Sequence, residues 1–442
     1  MRNGNFFRLA QTLQFVLTTK SNELAKEGFI KRQRKITGSN FVKTLIFGWM
    51  QYFTPSVEGL ARAGYTHGLK ISAQGLDKRF TQEACELMKR VLETALAQVV
   101  TASVQVDAGI LKPFPAIYLA DCSTVALPTE LETIWPGVGG SENASKAAIK
   151  VDTNLEIKTG QIHFNLLPGR HSDSRSPVAE SVYEKGSLRI QDLGYFNLGR
   201  MKQQAERGEY WISRLQPGTQ VFSMAGDPIN LSSHCLNLLK QGLMRNEIAV
   251  KVGVKEQLTV RMLFWKLPAE EAGRRRAKML NNGRKHSRMP SEANLAGCDW
   301  NILITNVEPE KLNHEDCFVM YGVRWQIELI FKLWKSHSGL GHSRSEKPER
   351  ILCEIYAKLL AIIFQHWIVL TGLWQKPDRS LVKGNQMIKE QSSGLAKCMN
   401  DLETLANFLK ELADRFDHGC SMNKRKKTLN TCQRIELRCA YA

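Results

Sequence analysis

The stretch YGVRWQIELIFKLWK, residues 321–335, carries four polar side chains at spacings that bring them onto one side of a helix: Tyr321, Arg324, Glu328 and Lys335. At about 100° per residue, their directions fall within about 60° of one another. The intervening residues are mostly apolar, so the stretch predicts a helix that is buried apart from this polar stripe. Because such a stripe is costly unless it faces a site, we expect these side chains to line a functional centre. One carboxylate flanked by a phenol and two cations suits a metal ion beside a phosphate.

The pattern around this helix predicts an α/β protein. Residues 1–108 are predicted to be helical, with periodic segments at 41–52 and 82–101. Strands are predicted at 116–121, 148–157, 162–167, 188–192, 209–215 and 300–306, and helices at 178–185 and 198–207. We interpret residues 217–298 as a β-rich insertion that ends in an Arg-rich loop, and residues 348–442 as helical. The predicted regions are therefore 1–108, 109–216, 217–298, 299–347 and 348–442.

The composition indicates a polyanionic partner. The 442-residue chain has a formal net charge of +18 and is 43% hydrophobic, which allows a substantial core. Its basic residues form three clusters: Lys31, Arg32, Arg34 and Lys35; then Arg274, Arg275, Arg276, Lys278, Arg284, Lys285 and Arg288; then Lys424, Arg425, Lys426 and Lys427. One such cluster is usually a solvated face, but three in a strongly basic chain favour contact with nucleic-acid phosphates.

Three acidic residues stand at informative places in this layout. Asp121 closes the first predicted strand, Asp192 ends the fourth, and Glu328 belongs to the striped helix. Carboxylates at the ends of adjacent strands can converge, and divalent metal ions both offset their mutual repulsion and assist phosphodiester cleavage. Hard oxygen ligands favour Mg²⁺ or Mn²⁺. Four other aspartates compete for these roles on physical grounds alone: Asp152, Asp173, Asp227 and Asp299.

The spacing Tyr-x2-Arg-x3-Glu-x6-Lys at Tyr321, Arg324, Glu328 and Lys335 resembles the signature of bacterial DDE transposases of the insertion-sequence-four group. The segments DLGYF, WNILITN and GFIKRQRKIT also resemble that group, whereas DCST at residues 121–124 fits its first aspartate motif only loosely. The resemblance implies a ribonuclease-H-like catalytic core interrupted by a β-rich insertion and flanked by helical regions.

The resemblance also implies roles for individual residues. Asp121, Asp192 and Glu328 would be catalytic and would hold two Mg²⁺ ions, with Mn²⁺ able to substitute. The other signature residues, Tyr321, Arg324 and Lys335, would contact phosphates of the DNA. The implied reaction cleaves both strands at the ends of an insertion sequence and transfers the 3′ ends to target DNA. By analogy, Lys31, Arg32 and Arg34 help to recognise the ends, and the C-terminal helices form a homodimer in a synaptic complex.

Alternatives remain at each step. Related cut-and-paste enzymes stack a flipped base on a tryptophan that precedes a core strand, a role open to Trp300, with Trp265 as second candidate; Trp300 as a core residue is the competing interpretation. The C-terminal helices can equally be an extension of the core. The chain as a whole can also be a metal-dependent DNA nuclease without strand transfer, or a repressor that binds DNA without cutting it.

The sequence predicts a bacterial cytoplasmic, nucleoid-associated protein without a membrane partner. The N-terminus lacks the apolar core of a signal peptide. The most apolar stretch, residues 359–374, is shorter than a typical bilayer span and contains Gln365 and His366, so we predict a core helix there.

Overall fold

The computed structural model describes residues 2–32, 35–52, 54–102, 109–139, 145–287, 289–374, 376 and 378–422. Arg34 of the predicted end-binding cluster, Arg288 and the basic run at residues 424–427 lie outside the described residues.

The elements are as follows in chain order. The N-terminal part contains α1 (Arg2–Gln14), a π-helical segment (Phe15–Lys20), α2 (Ser21–Ala25), α3 (Gly38–Gln51), α4 (Val57–Gly64), α5 (Ala73–Asp77) and α6 (Gln82–Leu96). The middle part contains β1 (Ile117–Leu127), β2 (Ala147–Glu156), β3 (Ile162–Pro168), α7 (Pro177–Glu180), β4 (Leu188–Gln191), α8 (Leu198–Glu206), β5 (Tyr210–Arg214), β6 (Val221–Phe222), α9 (Leu231–Lys240), β7 (Arg245–Val252), β8 (Leu258–Lys266), α10 (Ala269–Lys285), α11 (Glu292–Gly297), β9 (Trp300–Thr305) and α12 (His314–Val323). The C-terminal part contains α13 (Trp325–Ser338), α14 (Pro348–Gly372), α15 (Leu381–Glu390), α16 (Ser392–Cys398) and α17 (Leu402–Gly419).

The described residues divide into two compact units. The first, here the helical unit, comprises residues 2–102, 122–171 and 326–422; the second, here the sheet unit, comprises residues 109–121 and 172–325. Strand β1 contributes its residues through Asp121 to the sheet unit and its remainder to the helical unit.

The helical unit is organised around buried helices. Helix α3 begins at a capping box in which the side chains of Thr37 and Asn40 each accept a hydrogen bond from the other's backbone N–H. At its first residue, Gly38, a Cβ would lie 2.0 Å from the carbonyl oxygen of Ser21, so only glycine permits this close approach. Helix α14 packs against α3 and α6.

Helix α14 confirms the predicted core helix and is longer than the predicted stretch. Among the described residues it is the one helix long and apolar enough to cross a membrane, and 94% of its most apolar window is buried inside the structure. Apolar residues on all sides are typical of a helix enclosed by protein.

The predicted hairpin is confirmed in the helical unit, where β2 and β3 pair antiparallel from Ile149↔Pro168 to Leu155↔Ile162. Its turn contains Gly160 at φ 73°, in the left-handed region that glycine enters without strain.

Helix α6 ends at Leu96, earlier than the predicted Thr101, because Val99 and Val100 are β-branched residues with weaker helix propensity.

The sheet unit confirms the predicted mixed sheet. Its strand order is β1-β4-β5-β9-β8-β7-β6, with β1, β4 and β5 parallel and the following neighbours antiparallel. Its core is an apolar cluster drawn from α8, α9 and strands β5–β9, with Trp211, Phe264 and Trp300 as its largest members.

Several predicted boundaries in the sheet unit are wrong. The helix predicted for 178–185 ends at Glu180. The buried Arg189 guanidinium donates hydrogen bonds to the carbonyl oxygens of Val178 and Ser181, which a continuing helix would use for its own hydrogen bonds. Strand β1 continues to Leu127, so Asp121 lies inside the strand rather than closing it.

The segment 217–298 is also more helical than predicted. Its described residues form α9, α10 and α11 beside the short β6 and the longer β7 and β8, so it is mixed rather than β-rich. The Arg-rich stretch is helix α10 rather than a loop, with Glu270 and Glu271 in its first turn and Arg284 and Lys285 in its last, an arrangement that the helix dipole favours.

Candidate active site

Two of the predicted acidic residues occupy matching positions on neighbouring strands. The parallel register of β1 and β4 runs from Ile117↔Leu188 to Ala120↔Gln191. Asp121 is the next residue of β1, and Asp192 directly follows Gln191, the last residue of β4. Neighbouring strands lie about 4.8 Å apart, so these two carboxylates leave the backbone side by side. Their side chains are 15% and 33% exposed, which leaves them partly accessible.

A guanidinium group lies against both carboxylates. Arg324 donates a hydrogen bond from Nη1 to Asp121 Oδ2 over 3.1 Å, and the same nitrogen lies 3.9 Å from Asp192 Oδ1. With only 14% of the Arg324 side chain exposed, the charges are poorly screened by solvent. The cation therefore offsets the repulsion between two neighbouring negative charges.

A second arginine, which the sequence reasoning missed, completes this cluster. Arg214, the last residue of β5, donates a hydrogen bond from Nη2 to Asp192 Oδ1 over 3.0 Å and another from Nε to the Tyr321 hydroxyl over 3.1 Å. The available signal was an arginine at the end of a buried strand beside the strand that carries Asp192.

The Tyr321 phenol belongs to the same network and is half-buried. Burial raises the pKa of Tyr321, against the lowering effect of the Arg214 and Arg324 charges. The hydroxyl is therefore protonated at neutral pH and can donate one hydrogen bond while it accepts the one from Arg214.

Helix α12 carries Tyr321 in its last turn and is followed directly by Arg324. It begins at Asn313, whose side chain accepts from the Asp316 N–H, and it buries Cys317, Met320 and Val323. The prediction of one continuous helix through the signature is wrong. The Arg324 N–H bonds to the Tyr321 carbonyl, three residues back, so α12 tightens and ends there.

The other two signature residues lie on α13, in the helical unit. Glu328 is half-buried in the first turn and Lys335 is exposed. The apolar side of α13 packs on the hairpin, where Trp334 contacts Phe164 with ring centroids 5.6 Å apart. Trp325, counted among the apolar residues of the predicted buried helix, is instead 55% exposed.

Comparison with known proteins decides the family. The sequence profile described as "Transposase DDE domain" matches residues 112–364, more than half of the chain. The chain belongs to the DDE transposase family. It is 31% identical over 359 residues to the transposase for insertion sequence element IS231F of Bacillus thuringiensis subsp. israelensis, covering 77% of this chain and 75% of that protein. It is also 27% identical to the transposase for IS1151 of Clostridium perfringens, covering 79% and 78% of the two chains.

Membership of this family makes the protein a transposase, an enzyme that acts on DNA and depends on a divalent metal ion. The matched residues include both aspartates and all four signature residues. Residues before 112 and after 364 lie outside the match.

The donor set of the transposase fits a hard cation in part. Asp121 and Asp192 supply carboxylate oxygens side by side, the ligand type that Mg²⁺ prefers, and a cationic group already lies against them. Among the described residues, no group of three or more His, Cys, Asp or Glu side chains is arranged to hold a metal ion.

The remaining predicted DNA-contacting residues of the transposase lie in other segments of the chain. Trp300 is 2% exposed and packs edge-on against Phe264 in the core, which matches the competing interpretation of a core residue. Trp265 is half-buried and stacks on His314. In the helical unit, Lys31 and Arg32 are exposed in the connection between α2 and α3.

Proposed function

We propose that this transposase cleaves DNA at the two ends of an insertion sequence element and joins the freed 3′ ends to target DNA. The observation that carries the proposal is the cluster in which Asp121 and Asp192 stand side by side with Arg324 against both. The relatives are transposases of insertion sequence elements, which supports the same substrate here.

We propose that the fold behind this cluster is a ribonuclease-H-like core. The parallel strands β1, β4 and β5 next to one another, with acidic residues following the paired stretches of the first two, support this assignment. In this interpretation residues 217–298 are an insertion between β5 and β9, and 299–347 complete the core.

Asp121, Asp192 and Glu328 would hold the divalent metal, with Mg²⁺ as the proposed ion. When bound, the metal activates the attacking oxygen and stabilises the leaving oxygen of a phosphodiester. The protein's own contribution is to place Asp121 and Asp192 side by side, with the Arg324 charge against both and the Arg214 charge against Asp192, which offsets the repulsion between the two carboxylates.

The cationic side chains are proposed to hold the DNA. A guanidinium matches phosphate oxygens in a bidentate geometry, so Arg324 and Arg214 can bind a phosphate next to the carboxylates. The neutral Tyr321 hydroxyl can donate to a phosphate oxygen. Lys335 is exposed and is proposed to contact the DNA backbone, so Lys335→Ala should weaken binding of the ends and reduce the salt slope by about 1.

The flanking regions carry proposed binding roles. Residues 1–108, with Lys31, Arg32 and Arg34, are proposed to contact the element ends. Residues 348–442 are proposed to form the homodimer that holds two ends together. The region boundaries remain predictions.

A strand-transfer assay tests the proposal. The full chain is incubated with Mg²⁺, a labelled fragment containing the DNA that flanks its own gene, and a supercoiled plasmid. We expect cut ends and covalently joined end–plasmid products. Cut ends without joined products support the nuclease alternative, and binding without cutting supports the repressor alternative; either result overturns the proposal.

A further inference from the structure

The densest basic cluster of the sequence lies mostly on α10, within the sheet unit. The helix carries six described arginines and lysines between Arg274 and Lys285. A single basic helix is often only a solvated face. A binding role for α10 therefore depends on how its charges are arranged and on how many are neutralised by carboxylates.

One side of α10 is fixed to the protein around the start of β9. Arg276 donates from Nη1 to both carboxylate oxygens of Asp299, each over 2.5 Å. Met279, one turn further, lies 3.9 Å from the Cys298 sulfur, and Ala272, one turn earlier, is fully buried. These contacts set which side of the helix faces solvent.

The opposite side presents a row of polar side chains, here the outer row: Arg274, Lys278, Asn281 and Lys285. All four are exposed, and their spacing of four, three and four residues places them within about 60° on the helix surface. At about 1.5 Å per residue the row is about 16 Å long, close to five base pairs of duplex DNA at about 3.4 Å each.

The charges of the outer row are only partly neutralised. Arg274 lies 3.4 Å from both Glu270 and Glu271, exposed pairs that contribute little to stability. Within the part of the chain that the structure describes, no carboxylate forms an ion pair with Lys278 or Lys285. The helix dipole accounts for Lys285 in the last turn, but Lys278 lies in the middle of the helix, where that effect is weak.

We propose that the outer row of α10 binds the phosphate backbone of duplex DNA without reading its sequence. The side chains are long cations plus one amide, which bind phosphates well. Glu270 and Glu271 make the first turn of α10 acidic, which disfavours insertion of the helix N-terminus into a DNA groove between the two phosphate backbones. In the proposed complex the helix therefore lies along the DNA backbone. The inference rests on the proposed function only in taking DNA as the partner.

The test is binding of the full chain to a fluorescent duplex of arbitrary sequence that contains no element end, measured by anisotropy from 50 to 200 mM salt. Lys278→Ala/Lys285→Ala removes two phosphate contacts. We expect roughly 10- to 30-fold weaker binding near 150 mM salt and a salt slope shallower by about 2.

Lys240→Ala/Lys255→Ala is the matched control. Both lysines are exposed in the same unit but lie on different elements, so the charge change is equal without the row. Equal affinities of the two double variants for this duplex overturn the proposal. A wild-type protein that fails to cut or join DNA overturns the proposed function alone, because duplex binding is measured separately.

Discussion

Replacement of Arg324 by alanine should make the carboxylate cluster bind divalent ions more tightly. Arg324 Nη1 lies 3.1 Å from Asp121 Oδ2, and a divalent ion would take that same oxygen at about 2.1 Å. If the guanidinium moved to about 5 Å from a doubly charged ion, their repulsion would still be about 1.7 kcal/mol in water-like surroundings. Removal of the side chain should therefore lower the Kd for the ion by roughly 10- to 20-fold.

Isothermal titration of Mn²⁺ into the DNA-free proteins measures this difference directly. Arg245→Ala serves as the control, because Arg245 is an exposed arginine of the sheet unit that pairs with Glu315. We expect tighter Mn²⁺ binding by Arg324→Ala, an unchanged Kd for the control, and weaker DNA cleavage by Arg324→Ala because a phosphate contact is lost. Unchanged or weaker Mn²⁺ binding by Arg324→Ala would refute the competition between the guanidinium and the metal.

Three further outcomes follow from particular contacts. Arg214→Ala removes the hydrogen bonds to Asp192 and Tyr321 and should slow DNA cleavage at least tenfold. It should also lower the free energy of unfolding by about 1–2 kcal/mol. Cleavage at the wild-type rate contradicts the positioning role of Arg214. Glu328→Gln should abolish cleavage and leave end binding intact, which a gel-shift and a cleavage assay on one preparation can check. Burial lowers the pKa of His67 to about 4, so the folded protein resists its protonation and stability falls as pH drops from 6.5 towards 4, by about 3 kcal/mol. His67→Phe should remove that part of the pH dependence in denaturant unfolding at pH 7 and pH 5; identical pH dependence in both proteins contradicts it.

The parts of the fold with strong local patterns were predictable. The alternating apolar residues of β2 and β3 and the glycine at their turn predicted the hairpin. The apolar residues of α14 predicted a core helix. Local patterns of this kind need no knowledge of tertiary contacts.

The wrong predictions concern features that depend on contacts with residues distant in the sequence. Helix α7 ends early because Arg189, a residue of β4, donates hydrogen bonds to the carbonyl oxygens of Val178 and Ser181. No local sequence pattern predicts these bonds. The same holds for Arg214, whose importance depends on its reach to Asp192 and Tyr321. Burial of Trp300 likewise depends on how β8 and β9 pair.

The acidic cluster combined both kinds of information. The spacing of Tyr321, Arg324 and Glu328 in the sequence marked the region, and the resemblance assigned roles to them. The register that brings Asp121 next to Asp192 is a property of the folded sheet. Arg324, which the resemblance assigned to the DNA, lies against both aspartates.

The most direct test of the central claim is cleavage of an element-end fragment in Mg²⁺ by Asp121→Asn and Asp192→Asn. Asp227→Asn is the control, since Asp227 is an exposed aspartate of the same unit and was one of the competing candidates. We expect both site variants to bind the fragment as the wild type does and to leave it uncut, while the control cuts normally. Normal cleavage by either site variant would contradict the assignment of the active site.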